Sequence, residues 1–219
     1  MSITKDYLPK HPEITVYQDD SMFRINSDTM ALGEFLEIYK NDTVLDIGTN
    51  NGALLIYASL FNPKQLIGLD INKKALDIAK MNMEANNITN YKLINDDANT
   101  YLDSEVDVII CNPPYFKTRV EDRGQNQYLA LAKHEDNLLL SNLILTIVKN
   151  LKTNGKLFFL FQTSRLLEVI EELEKNNLNI KKMKFVYDMN KDYSNVVLIK
   201  AVKGGLKGIV VEKPLIITR

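Results

Sequence analysis

Between about residues 43 and 202, short apolar runs alternate with amphipathic stretches at regular intervals. The runs Thr43–Ile47, Gln65–Leu69, Tyr91–Ile94, Val106–Ile110 and Lys156–Phe161 have the length and continuity of strands buried within a sheet. Between them, Ala53–Phe61, Lys73–Ala85, Asp136–Leu151 and Ser164–Lys175 carry helical periodicity, with Asn72 placed as an N-cap. Two further strand-like stretches, Ile180–Tyr187 and Asn195–Val202, are separated only by the polar turn 188–194, which predicts an antiparallel pair. Strands joined through helices form a parallel sheet covered on both faces. The predicted fold is therefore α/β: a mostly parallel seven-stranded sheet with helices on both faces and an antiparallel C-terminal hairpin. Upstream, Ile14–Gln18 and Phe23–Ile25 predict a short hairpin, and Ser27-Asp28 opens a helix running toward Tyr39. Residues 1–42 are thus expected to pack on a domain comprising residues 43–219.

Composition narrows the setting. No apolar run approaches the roughly 18–20 residues that span a bilayer, and Met1–Asp6 has no apolar segment of signal-peptide type. The single cysteine, Cys111, rules out an intramolecular disulfide and suits a reducing cytoplasm. With one cysteine and two distant histidines, His11 and His134, no metal site is expected. Net charge is −1, yet residues 1–150 carry 14 basic and 21 acidic residues, whereas residues 151–219 carry 13 and 7. The run Lys181-Lys182-Met183-Lys184 lies in that basic part. It fits either a solvated lysine face or a surface that meets a phosphate backbone.

Ligands of such sheets bind beyond the carboxyl ends of the strands. The first strand ends in Asp46-Ile47-Gly48-Thr49-Asn50-Asn51-Gly52, where glycines allow close backbone approach. The second ends in Asp70, an acid suited to ribose hydroxyls, and the third is followed by Asp96-Asp97-Ala98. The fourth ends in Asn112-Pro113-Pro114-Tyr115. Two consecutive prolines stop the strand, because each lacks a backbone N–H and fixes φ. They leave a rigid turn with carbonyl and amide acceptors for an exocyclic amine and an aromatic ring to stack on it.

These four strand ends, taken together, resemble the class I S-adenosylmethionine-dependent methyltransferases that modify amino groups through an Asn-Pro-Pro-Tyr motif. The resemblance covers about residues 43–202. Phe23–Leu32, Ala132-Lys133-His134-Glu135, Gly204-Gly205 and Pro214–Ile217 extend it to the bacterial tRNA1(Val) adenine-37 N6-methyltransferase family. One departure is Asn50, which stands where the family's glycine loop has a third glycine. Asn tolerates the left-handed backbone better than most residues.

The resemblance implies S-adenosylmethionine as cofactor, its amino-acid portion over Asp46, Gly48, Asn50 and Gly52, its ribose on Asp70 and its adenine at Asp97 and Ala98. It implies that the Asn112 amide and the Pro113 carbonyl accept the target amine while Tyr115 stacks on the base. Asn112 stands at the boundary of the cofactor and substrate sites. The implied partner is tRNA, with Phe116, Arg119, Arg123, Lys181, Lys182 and Lys184 as candidate contacts. Segment 117–133 fits either a substrate-gating loop or an ordinary connection, while His134 and Glu135 fit a structural role. Asp28 fits a helix cap or a pocket-lining acid. Release-factor glutamine N5-methyltransferases share the Asn-Pro-Pro-Tyr motif but carry a helical domain ahead of the first strand. Guanine-N2 rRNA methyltransferases, with Phe at the fourth motif position, are another alternative. A catalytically silent RNA-binding module is a third. Monomer and homodimer are both open.

Overall fold

The computed structural model describes residues 3–102, 105–113 and 140–218. The chain opens with an antiparallel hairpin, β1 (Ile3–Leu8) and β2 (His11–Asp19). Helix α1 (Ser27–Phe35) follows. The central region runs β3 (Thr43–Ile47), α2 (Ala53–Ser59), β4 (Gln65–Asp70), α3 (Lys73–Ala85), β5 (Tyr91–Asn95) and β6 (Val106–Cys111). Beyond it lie α4 (Leu140–Asn150), β7 (Leu151–Gln162), a 3-10 turn at Thr163–Arg165, α5 (Leu166–Lys175), β8 (Leu178–Asp188) and β9 (Ser194–Lys203). Two short strands, β10 (Val210–Val211) and β11 (Leu215–Ile217), end the described chain.

The seven expected strands lie in the order β5-β4-β3-β6-β7-β9-β8, with β3 through β7 parallel and β9 antiparallel to both of its neighbours. Strands β10 and β11 pair in parallel with β8 and widen the sheet at that edge. From β3 the chain steps one way to β4 and β5; from β6 it steps the other way to β7. Because such crossovers are right-handed, the two directions put their helices on opposite faces. They also open a crevice at the switch point between β3 and β6. Leu45, Ile109, Phe158 and Phe159 are wholly buried in the sheet's core.

Two N-terminal expectations are corrected. The hairpin partner of β2 is Ile3–Leu8, not Phe23–Ile25. β1 alternates polar and apolar residues weakly (Ile-Thr-Lys-Asp-Tyr-Leu), so its sequence hides a half-exposed strand. The chain reverses at Pro9-Lys10, with Lys10 at a φ of 66°. After β2, an Asp19 side-chain turn accepting the Ser21 N–H (2.8 Å) redirects the chain, and the Ile25 N–H is taken by the Gln18 side chain at 2.7 Å. The cap of α1 is Asn26, not Ser27-Asp28; its Oδ1 accepts the N–H groups of Asp28 and Thr29. That helix ends at Phe35, short of Tyr39, because Leu36 is extended.

Asn82 of α3 and Asn86, which caps that helix at its carboxyl end, hold the hairpin. Asn86 accepts from the Thr15 N–H (3.0 Å) and donates to its carbonyl (2.7 Å), and Asn82 does the same for Tyr17 (2.6 and 3.0 Å). Met22 packs with Ala75 and Ile78 of α3 nearby.

Helix α1 sits close enough to α2 that a Cβ on Gly33 would lie 2.3 Å from Cγ of Tyr57. Gly33→Ala is expected to lower folding stability by about 1–3 kcal/mol despite the gain in helix propensity, since overpacking forces ring and helix apart. Urea unfolding measures it; an unchanged midpoint would mean that the interface yields freely.

Candidate active site

At the carboxyl edge, register aligns the candidate residues. Ile47 pairs with Leu69 on one side and Cys111 on the other, and Asp70 pairs with Asn95. Gly48 therefore leaves the sheet between Asp70 and Asn112. The five-residue loop that follows has φ values of 74° at Gly48, 48° at Asn50 and 77° at Gly52. Such angles suit glycine and, less readily, asparagine, so Asn50 occupies a left-handed position as its sequence context requires.

Backbone tethers hold the loop to β4. The N–H groups of Gly48 and Thr49 both donate to the Leu69 carbonyl (2.9 and 3.0 Å). The N–H of Asn50 donates to Asp70 Oδ2 (2.8 Å), while the N–H of Asn72 takes Asp70 Oδ1 (2.8 Å). Each carboxylate oxygen has a second lone pair, so Asp70 keeps acceptor capacity for hydroxyls. Burial raises the pKa of Asp70, and the Asn72 and Asn50 N–H groups oppose that rise. The Asn50 side chain turns away and donates to the Phe23 carbonyl at 2.7 Å, so the residue in the third-glycine position latches the N-terminal segment.

Asp46 is wholly buried in β3, two residues before Gly48, and neither of its oxygens has a hydrogen-bond partner in the described structure. Burial pushes its pKa up to about 7; the nearby Thr49 hydroxyl opposes the shift, although it is not in hydrogen-bonding geometry, and Asp70 adds to it. Thr49 Oγ1 and Asn51 Nδ2 are likewise buried and unpartnered. Among the described residues a Cβ at Gly48 would meet nothing within 4 Å, so on that side they leave the loop open. An orphaned carboxylate, hydroxyl and amide beneath an open glycine turn fit a ligand bearing both cationic and donor groups.

The remaining candidates divide. Asp97 heads a turn, its Oδ1 accepting from the backbone and side chain of Asn99 (both 2.8 Å), and Ala98 is half-buried beside it. Asn112 is half-buried and Pro113 buried. Cys111, next to them, is a buried thiol whose pKa burial and then Asp46 push upward. Tyr115, Phe116, Arg119, Arg123, His134, Glu135 and segment 117–133 lie outside the described residues. Asp28 lines a cavity of about 760 Å³ with Gln18, Arg24 and Asn26, between the hairpin and α1.

Lys181, Lys182 and Lys184 do not form a free cationic patch. Lys182 pairs with Glu37 (2.6 Å) and Glu212 (3.2 Å), and Lys184 with Glu212 (2.7 Å), while Lys181 donates to the Leu206 carbonyl. Donating hydrogen bonds to Glu37, first, and then to Glu212 raises the Lys182 pKa. That of Glu212 is lowered chiefly by the bond from Lys184. Sequence reading missed these acids, which are distant in the chain, as well as Thr49, Asn51 and Asn82. Only their place beside a left-handed loop, visible in three dimensions, marks the last three.

No group of His, Cys, Asp and Glu suited to a metal occurs among the described residues. None of their helices is long and apolar enough to cross a membrane.

Sheet order, switch point and open glycine loop are those of the class I methyltransferase fold. The chain belongs to the methyltransferase small domain family, whose model matches residues 13–186. The tRNA1(Val) (adenine(37)-N6)-methyltransferase of Shewanella woodyi is 28% identical over 70% of this chain and 66% of its own length, or about two thirds of that relative. Its counterpart in Cytophaga hutchinsonii is 25% identical over 80% and 75%. A release factor glutamine methyltransferase of Francisella tularensis is 34% identical over 47% of this chain and 38% of its own. Among solved structures, the ribosomal protein L11 methylase of Lactobacillus delbrueckii subsp. bulgaricus superposes with a TM-score of 0.61 at 19% identity, over 85% and 84% of the two chains. The cofactor is S-adenosylmethionine.

Asp46 gives this site a pH signature. Its folded pKa of about 7 exceeds the unfolded carboxyl value, so between about pH 4 and 7 the folded state holds a proton that the unfolded state lacks. Its contribution to stability is present below the unfolded pKa and is lost as pH rises through 7. Asp46→Asn is expected to recover on the order of 3 kcal/mol relative to wild type at pH 8 and little at pH 4, read by urea unfolding at both. Equal differences at the two pH values would mean that Asp46 is ionised throughout.

Proposed function

We propose that this methyltransferase transfers a methyl group to the exocyclic N6 of an adenine in the anticodon loop of a tRNA, at position 37 by family resemblance. The observation that carries it is the departure of Asn112-Pro113 from β6 at the switch point, one strand from the Gly48–Gly52 loop. The tRNA methyltransferases among the relatives support the choice of substrate.

In this reading Asp46, Gly48, Asn50 and Gly52 hold the amino-acid end of S-adenosylmethionine, Asp70 the ribose, and Asp97 with Ala98 the adenine. The buried carboxylate of Asp46 favours the cofactor's ammonium, and the pair relieves its desolvation. The cofactor supplies an activated methyl group on sulfonium. The Asn112 side-chain oxygen and the Pro113 carbonyl accept the two hydrogens of the target amine and aim its lone pair at that methyl. Tyr115 stacks on the base, with Phe116 extending the aromatic surface. Because the donor is already activated, no strong base is required, and positioning with oriented dipoles supplies the rate enhancement. An adenine in a loop is turned out of its stack at a cost of only a few kcal/mol. Lys182 and Lys184 reach a phosphate backbone only by exchanging partners with Glu37 and Glu212, so Arg119, Arg123 and Lys181 are the stronger candidates for that contact. The enzyme acts in the cytoplasm on this reading.

A second reading, N5-methylation of a glutamine in a release factor, is favoured by the Francisella relative. It uses the same turn, since an amide nitrogen is also planar and carries two hydrogens.

Incubation with labelled S-adenosylmethionine and either total tRNA or release factor separates the two. Label is expected in N6-methyladenosine from tRNA, whereas label confined to glutamine would select the second reading. Asn112→Ala is expected to lower transfer by at least about a hundredfold while leaving affinity for S-adenosylhomocysteine within several-fold. Full transfer in that variant would remove Asn112 from the chemistry.

A further inference from the structure

The Gly48–Gly52 loop is held on one flank by β4; its other flank is held by a residue of α3. Asn82 is wholly buried, and one of its amide hydrogens reaches the Asn51 carbonyl at 2.8 Å. The same amide donates to the Tyr17 carbonyl at 3.0 Å and accepts the Tyr17 N–H at 2.6 Å. One side chain therefore joins the central helix, the N-terminal hairpin and the cofactor loop. Asn86, one turn later, makes the equivalent pair of bonds to Thr15 and has no bond to the loop. The match is geometric: four residues of helix advance about 6 Å, and two residues of strand about 6.7 Å. Two amides at i and i+4 thus stand in for the peptide groups of a missing neighbour of β2.

We propose that Asn82 is a positioning residue for S-adenosylmethionine, setting the Asn51 peptide and coupling the loop to docking of the hairpin. Its two attachments share one rigid amide, so a shift of Tyr17 moves the donor that holds Asn51. The Asn50 latch onto the Phe23 carbonyl ties the loop to the segment that follows the hairpin as well. Cofactor that rigidifies the loop must then stabilise the hairpin by the same coupling free energy, because linkage is reciprocal.

The inference rests on the loop being the cofactor site. The test compares S-adenosylhomocysteine affinity, by calorimetry, in wild type, Asn82→Ala and Asn86→Ala. Asn82→Ala is expected to weaken binding about tenfold, the equivalent of one well-made hydrogen bond. Asn86→Ala, which loses the Thr15 bonds and the helix-end bond to the Asn82 carbonyl but leaves the Asn82 bond to Asn51 in place, is expected to stay within about twofold of wild type while the hairpin stays docked, even if its melting temperature falls as far. Equal affinity in Asn82→Ala and wild type, or equal losses in both variants, would overturn the proposal. A second arm needs no variant: saturating S-adenosylhomocysteine should slow hydrogen exchange at the Tyr17 amide several-fold in wild type. Unchanged exchange there would overturn the coupling even if Asn82→Ala fails to fold. Wild-type protein that binds no S-adenosylhomocysteine would instead remove the cofactor reading itself.

Discussion

Three hydrogen bonds from backbone N–H groups, those of Gly48 and Thr49 to the Leu69 carbonyl and that of Asn50 to the Asp70 carboxylate, fix the loop on which the rest of the site depends. They force a path with three left-handed residues in five positions, which few side chains tolerate. The path also determines what surrounds it. Gly68 lacks a Cβ because one there would lie 2.9 Å from Thr49, Leu55 and Leu93. Gly52 likewise faces Ala79 at 3.2 Å, where α3 crosses. Among the described residues, close packing on these sides thus leaves the loop open at Gly48.

Charge is arranged by opposite logic in two places. At the loop, Asp46 is buried without a partner among the described residues, a costly state that on the proposed reading the cofactor completes. At the β8 edge, the most conspicuous basic run is compensated by Glu37 and Glu212. A lysine-rich sequence there ties α1's exit and the C-terminal segment to the sheet. Reading charge by count would rank the second place as functional and the first as ordinary core; partners reverse that order.

The central sheet was legible because its signals are local and redundant. Thr43–Ile47 and Lys73–Ala85 appear with the bounds that apolar run length and the Asn72 cap predict. Glycine and proline punctuation marked where the strands end, and the candidate cofactor residues fall at those ends. The hairpin was misread because β1 is half-exposed and its apolar alternation is weak. Its partner β2 is held by asparagines some seventy residues away, a pairing that leaves no periodic trace. Asn50 shows both sides: its tolerance for a positive φ could be argued from residue type, whereas its bond to Phe23 needed coordinates. The lysine run was ambiguous for the same reason, since Glu37 lies far from it in sequence.

On the proposed reading, one edge of the sheet, from Asp46 to Asn112, is assembled around S-adenosylmethionine. A crystal structure of the complex with S-adenosylhomocysteine tests it most directly. The amino-acid end is expected over Gly48–Gly52 with its ammonium facing Asp46, the ribose hydroxyls on Asp70, and the adenine beside Asp97 and Ala98. A ligand bound away from the β3–β6 crevice, or one whose ribose avoids Asp70, would contradict it.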